Sequence, residues 1–399
     1  MKKLMVLGGS RYALPVIEAA HNLGFYVITC DYLPDNIAHK YSDEYCNVSI
    51  IDKEAVLQAA KDLNIDGIMS FACDPGVATA AYVAEKMGLP HSGSYESVSI
   101  LQNKGRFRQF LADNGFNVPV AKGYTSVEQA LGESDIFNWP VIVKPTDSAG
   151  SKGVTRVDKP EHLKESIEYA LSFSHSNEFI IEDFLEKKGH SSDTDSFSIN
   201  GKLKFVSFSA QRFDEKCENP YTPSAYSWPS TISQEHQDEL TGEIQRLLNL
   251  LDMKTSIYNI EVRECTDGKA YIMECSPRGG GNRLAEVLRY ATGVDLITNA
   301  VRAAVGEPVI DVEQKPYNGC WAEIILHSET AGEFDYLWIS EEIENSIIEK
   351  DLWIESGDLV GGFSGANEAI GTLILRFDTH DNMQKILENQ NDFVKVVLK

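Results

Sequence analysis

Tyr258-Asn259-Ile260-Glu261-Val262-Arg263-Glu264-Cys265-Thr266-Asp267-Gly268-Lys269-Ala270-Tyr271-Ile272-Met273-Glu274-Cys275 reads as two alternating runs joined by Asp-Gly. That dipeptide between alternating strands is a strong hairpin signal. Pairing outward from it sets Thr266 against Lys269, Glu264 against Tyr271 and Glu261 against Glu274. Directly opposed residues have Cβ atoms about 5 Å apart, where like charges repel. A divalent cation between the two carboxylates removes the conflict, and hard oxygen donors of this kind suit Mg²⁺ completed by phosphate oxygens. Two solvated acids on an exposed face are the alternative.

The strand then breaks into Ser276-Pro277-Arg278-Gly279-Gly280-Gly281-Asn282-Arg283. Three consecutive glycines carry no core-forming side chain and let backbone approach a ligand closely. Arg278 and Arg283 suit a phosphoryl or carboxylate group. Together with the paired acids, this loop points to a phosphate- and metal-handling site more than to a surface turn.

Upstream, Val141-Ile142-Val143-Lys144-Pro145 runs into Thr146-Asp147-Ser148-Ala149-Gly150-Ser151-Lys152-Gly153-Val154. Backbone N–H groups of such a small-residue loop can cradle phosphate oxygens, and Lys144 adds a compact positive charge. The loop is not a Walker A motif, because G-x-x-x-x-G-K-[ST] is absent and a strand follows. A hairpin tip without function is the alternative. Phe179-Ile180-Ile181-Glu182-Asp183-Phe184-Leu185 is an apolar strand ending in acids. It can offer backbone edges and an apolar wall to a flat heterocycle.

Around these segments the texture changes along the chain. Strands at 3–7, 25–30 and 67–71 alternate with helical stretches around 14–23, 53–63 and 76–87. That order implies a small parallel sheet with helical crossovers, an α/β domain over residues 1–100. From 101 to 310 the strands come as hairpins with helices between them, an α+β pattern. A link at 308–316 leads to a small α+β domain over 311–399.

Composition narrows the class. Thirty-six basic against 60 acidic residues leave a net charge of -24. A field of that sign repels nucleic acid and anionic membranes. No apolar run reaches the ~18 residues of a membrane span. The seven cysteines are scattered without a C-x-x-C pair, as expected for reduced thiols in the cytoplasm.

These clusters, in this order, resemble the ATP-grasp superfamily, on the carboxylate–amine ligase side, with the carbamoyl-phosphate-synthase-like and amino-acid-ligase branches nearest. The resemblance implies a Rossmann-like pre-ATP-grasp domain, a central ATP-grasp domain and a small C-terminal domain. It implies that Lys104 and Lys144 contact the nucleotide phosphates, and that the loop with Ser148, Gly150, Ser151 and Gly153 closes over them. Glu182, Phe184 and Leu185 would line the adenine pocket. Asp193 is the choice for the ribose. Glu261, Glu274 and Ser276 would hold Mg²⁺, for which Mn²⁺ is an alternative. Ser276 stands where the family has asparagine, which puts a second metal ion in doubt. Arg278, with Lys144, would serve catalysis, and Arg278, Gly280, Arg283 and Arg212 would face substrate.

The implied reaction joins a small carboxylic acid to an amine through an acyl phosphate, releasing ADP and phosphate. Amino acids are among the candidate substrates, and a homodimer is an open alternative. Two other readings are a nicotinamide-dependent oxidoreductase and a non-catalytic nucleotide-binding protein. The first rests on the strand–Gly8-Gly9–helix–strand–Asp31 opening, whose G-x-G-x-x-G fingerprint is broken by Ser10.

Overall fold

The computed structural model describes residues 1–148, 152–217 and 219–399. Its first unit is a parallel sheet in the order Glu44–Cys46, Tyr26–Cys30, Lys3–Leu7, Gly67–Ser70. Leu4, Met5, Val6 and Leu7 are all fully buried. A continuous apolar run of this kind is what a central parallel strand needs when both faces are covered. The expected crossover helix Lys53–Leu63 is present. Asp52 caps it by accepting from the Ala55 N–H at 3.1 Å, and Asn64 ends it at φ 52°.

The middle of the chain builds two antiparallel sheets. One orders Ala121–Tyr124, Phe179–Asp183, Val141–Pro145, Thr155–Val157. The other orders Lys202–Phe205, Ser192–Ile199, Ser256–Glu264, Ala270–Ser276. The helix Lys104–Asp113 reaches both, through side chains described below. Helix Gln234–Leu250 buries Leu240, Ile244, Leu247 and Leu248, a spacing of one helical face.

A five-stranded antiparallel sheet orders Ala210–Phe213, Pro223–Trp228, Cys320–Leu326, Gly371–Phe377, Ile347–Leu352. Two of its strands thus come from the middle of the chain. Strands Ala210–Phe213 and Pro223–Trp228 pair antiparallel, with Tyr226 and Trp228 stacked and buried. No helix among the described residues is long and apolar enough to cross a membrane.

Candidate active site

The long hairpin differs from the expected register in one respect. Near the turn Glu264 pairs with Ala270 and Arg263 with Tyr271, so the predicted Glu264–Tyr271 and Thr266–Lys269 pairs do not form. The Cys265 N–H instead donates to Lys269 O across a longer loop. A β-bulge at Met273 then shifts the register by one residue and restores Glu261 opposite Glu274. The Met273 carbonyl accepts from Arg108 Nη1 at 2.8 Å.

Arg108 ties the two middle sheets together. Its Nε donates to Glu182 Oε2 at 2.7 Å, and Lys144 pairs with the other oxygen of the same carboxylate. All three sit inside the protein. Burial alone raises the Glu182 carboxyl, but Arg108 and Lys144 outweigh it and bring it down to about 2. Burial lowers Lys144, against the pull of Glu182. Phe184 lies against Arg156, 4.3 Å from guanidinium to ring, and Leu185 follows it, half-buried. Arg108 was missed in the sequence, although it lies one helical turn beyond Lys104.

The acid row is wider than expected. Asp193 stands opposite Glu261 on the other side, so Asp193, Glu261 and Glu274 lie abreast on three strands. Asp195, Asn259 and Ser276 form the next row. Asp193 is pushed up to about 7 by burial first and then by Glu261, and Asp195 is pushed up to about 7 chiefly by burial. Asp193 Oδ1 and Asp195 Oδ2 are buried without a hydrogen-bond partner. Asp193, expected at the ribose, therefore sits with the acids, abreast of Glu261 and Glu274.

Ser276 also departs from expectation. Its hydroxyl donates to Asp74 at 3.1 Å and accepts from Gln102 Nε2 at 2.8 Å. The hydroxyl is thereby bonded within the protein on both sides. Lys104 Nζ lies 3.2 Å from Glu274 and donates to Ser148 O at 3.0 Å. Burial lowers Lys104, yet Glu274 and Asp74 outweigh it and raise the group. Gly150 and Ser151 lie outside the described residues. Gly153 has φ +71° and packs against Phe173, Pro145 and Ala170.

Arg278 is held in a fork by Asp74, with Nε to Oδ1 at 2.8 Å and Nη2 to Oδ2 at 2.7 Å. Asp74 opens the helix Asp74–Met87 of the first unit. The Ala72 N–H also donates to Gly279 O at 3.0 Å. The N-terminal unit thus grips the loop 276–283. Two of the loop glycines, Gly279 and Gly280, are packed where a side chain would not fit. A Cβ on Gly279 would lie 2.2 Å from the Phe71 ring, and one on Gly280 2.7 Å from Asn259 Nδ2. The Gly280 N–H donates to Asp195 Oδ1 at 2.8 Å.

Arg212 is misplaced by the sequence reading. It is buried and bonds Ala210 O, Ser227 Oγ and Gln384 Oε1. Its neighbour Gln211 faces the acids instead, with Nε2 3.4 Å from Asp193 Oδ2. Successive strand residues point to opposite faces, so Arg212 is turned away. Arg283 pairs with Glu286 at 3.3 Å and Glu349 at 2.7 Å.

The site fits nucleotide phosphates and Mg²⁺. Unpartnered buried acid oxygens in a row suit a hard cation, and Lys104, Lys144 and Arg278 supply positive charge around it. The carboxylate oxygens of the row do not converge here. Among the described residues the one His, Cys and carboxylate group with ligand atoms within 4.8 Å is Asp214, Cys217 and His327. The opening glycines do not fit a dinucleotide. A Cβ on Gly9 would meet the His39 ring at 2.5 Å. Asp31 already accepts from Asn36 Nδ2 and the Leu33 N–H.

Residues 137–286 match the ATP-grasp domain family, and the protein carries an ATP-grasp domain. ATP with Mg²⁺ is the cofactor pair of this class, and solved structures of the same fold hold ADP and MgADP. The fold of the whole chain is that of the L-amino acid ligase from Bacillus licheniformis, with a TM-score of 0.83, 18% identity and coverage of 100% and 99% of the two chains. The carbamoyl phosphate synthase large chain of Thermotoga neapolitana is 24% identical over 298 residues. That match covers 74% of this chain and 27% of the relative's length. The formate-dependent phosphoribosylglycinamide formyltransferase of Synechococcus sp. WH7803 is 24% identical over 355 residues, 86% of each chain.

Proposed function

We propose that the protein is an ADP-forming carboxylate–amine ligase that acts on small molecules in the cytoplasm. The observation that carries this reading is the row Asp193, Glu261, Glu274 on adjacent strands, with Lys104 on Glu274 and Arg278 forked by Asp74. In the expected division residues 1–100 form the pre-ATP-grasp domain, 101–310 the nucleotide- and metal-binding domain and 311–399 a small C-terminal domain.

Lys144, fixed by Glu182, and Lys104 bind the terminal phosphates, and Phe184 and Leu185 wall the adenine. Glu261 and Glu274, joined by Asp193, would hold Mg²⁺, which neutralises phosphate charge when bound. A carboxylate oxygen of the acid attacks the γ-phosphorus, the bond from that phosphorus to the β–γ bridging oxygen breaks, and ADP leaves. The amine nitrogen then attacks the acyl carbon, the bond to the phosphate oxygen breaks, and phosphate leaves, taking up the proton that the nitrogen sheds. Arg278 faces the negative charge of the phosphoryl group in both steps, and Asp74 fixes its orientation. No side-chain nucleophile is needed, so catalysis is positioning and charge stabilisation.

Product analysis tests the reading. With a competent acid and amine, ADP and phosphate form without AMP or pyrophosphate. Hydroxylamine in place of the amine yields a hydroxamate in step with ADP. Pyrophosphate release would overturn the mechanism.

A further inference from the structure

The strands Ala210–Phe213, Pro223–Trp228 and Cys320–Leu326 set Gln211, Tyr226 and Glu323 directly opposite one another. Directly opposed residues share one face of a sheet. Gln211 and Tyr226 both reach Asp193 Oδ2, at 3.4 and 3.3 Å. Glu323 is the next member of the row, one strand farther from the acids. It is 0% exposed, and neither of its carboxylate oxygens has a hydrogen-bond partner.

A carboxylate buried without donors is costly, and native proteins keep very few. Burial and Glu286 raise the Glu323 carboxyl well above the ordinary range, and Arg283 offsets this only in part. Glu286 is also buried, and Glu349 stands nearby on Ile347–Leu352. One guanidinium, Arg283, is divided between Glu286 and Glu349. Arg289, on the same helix as Glu286, is half exposed and lies 3.8 Å from Asp295. Three carboxyl groups, those of Glu286, Glu323 and Glu349, therefore share the one guanidinium of Arg283. The remaining polar groups are neutral. Tyr12 Oη donates to Asn282 Oδ1 at 2.9 Å, and Asn282 Nδ2 lies 3.5 Å from Tyr226 Oη.

Glu286 and Glu349 are committed to Arg283, so Glu323 alone offers free oxygens, fewer than a hard cation takes. A primary ammonium group does fit. It brings one positive charge and three donors to a carboxylate with free acceptors. We infer that Glu323 binds the primary ammonium group of the substrate, with Gln211 and Tyr226 lining the path from it to the phosphoryl-transfer acids. The inference rests on the ligase reading and specifies its substrate class as amino-bearing compounds.

The test uses the full chain and two readouts. The melting shift with MgADP reports nucleotide binding. ADP release from MgATP is measured with the L-α-amino acids, ω-amino acids and aliphatic diamines, each beside its deaminated counterpart. The expected result is release driven by an amino-bearing compound and not by its deaminated counterpart. Glu323→Gln should raise KM for that compound at least about tenfold, with KM for MgATP changed less than about twofold and the MgADP shift retained. Glu323→Asp keeps the charge and should fall between wild type and Glu323→Gln. Equal release with deaminated compounds, an unchanged KM in Glu323→Gln, or no response to any amino-bearing compound overturns the assignment while the MgADP shift stands. A wild-type protein without a MgADP shift overturns the ligase reading and the assignment with it.

Discussion

Both oxygens of Asp74 hold Arg278, at 2.8 and 2.7 Å, across 204 residues of sequence. The carboxylate opens a helix of the first unit, and the guanidinium belongs to the loop beside the acid row. Asp74→Asn leaves the shape but removes the charge. We expect kcat to fall more than KM for MgATP rises. We expect stability to drop by about 2–3 kcal/mol, somewhat less than for a fully buried pair, because the Asp74 side chain keeps 28% exposure. Steady-state kinetics and denaturant unfolding measure the two effects. Unchanged kcat would remove Arg278 from the chemistry.

Arg108 predicts a different loss. Arg108→Met strips donors from Glu182 and from the Met273 carbonyl. Both acceptors are enclosed, so the cost should be about 3–5 kcal/mol. Nucleotide affinity should fall as well, because Lys144 loses the arrangement that orients it. Melting curves with and without MgADP check both. A variant as stable as wild type would mean that water replaces the guanidinium.

Acid stability follows from Glu182. Its carboxyl lies at about 2, below an ordinary value of 4.5, because Arg108 and Lys144 outweigh burial. A depressed carboxylate contributes its full stability above about pH 4.5 and loses it as pH falls through about 2. Wild-type stability should therefore decline more steeply than that of Glu182→Gln between those limits. Parallel declines would show that the group is not held as an anion.

Glu274→Gln should lower turnover by roughly 10²-fold and raise the Mg²⁺ concentration needed for half-maximal rate. Relief of Glu261–Glu274 repulsion is not expected to add stability in the metal-free protein. Lys104 already sits on Glu274 and Arg263 on Glu261, each at 3.2 Å. Full activity in this variant would exclude Glu274 as a metal ligand.

Gly280→Ala probes the glycine run. The added methyl would meet Leu284, Asn259 and Asp195 at 2.6, 2.7 and 3.0 Å. Overpacking of this kind costs about 1–3 kcal/mol, and the displaced loop should carry Arg278 with it. A melting scan and kcat should fall together. An activity loss with an unchanged melting point would place the methyl in the substrate's space.

The parts of the site that local pattern encodes were legible. Alternation marked the two strands of the hairpin and put Glu261 and Glu274 on them, while their pairing depends on the bulge at Met273. The Lys144 strand and its return strand Thr155–Val157 also followed from pattern. The register between turn and acids did not, because a bulge has no composition signature. Charge misled the choice at 211–212. Arginine drew attention as a carboxylate ligand, whereas alternation points the uncharged Gln211 at the acids. Asp74 and Glu323 left no local trace, since their partners lie in distant segments and neither falls in a recognisable motif. Arg108 could have been found from its place one turn after Lys104.

The irregularity at Met273 separates two jobs within one hairpin. On the turn side the strands keep their own register, and on the acid side they keep another, with Arg108 clamping the junction. Length changes in the connection around Thr266–Lys269 can be absorbed before they reach Glu274. Only the exposed tip Thr266–Lys269 is open to insertion, because Cys265 is buried and the Lys188 N–H donates to Glu264 O, while the acid end is insulated by the bulge.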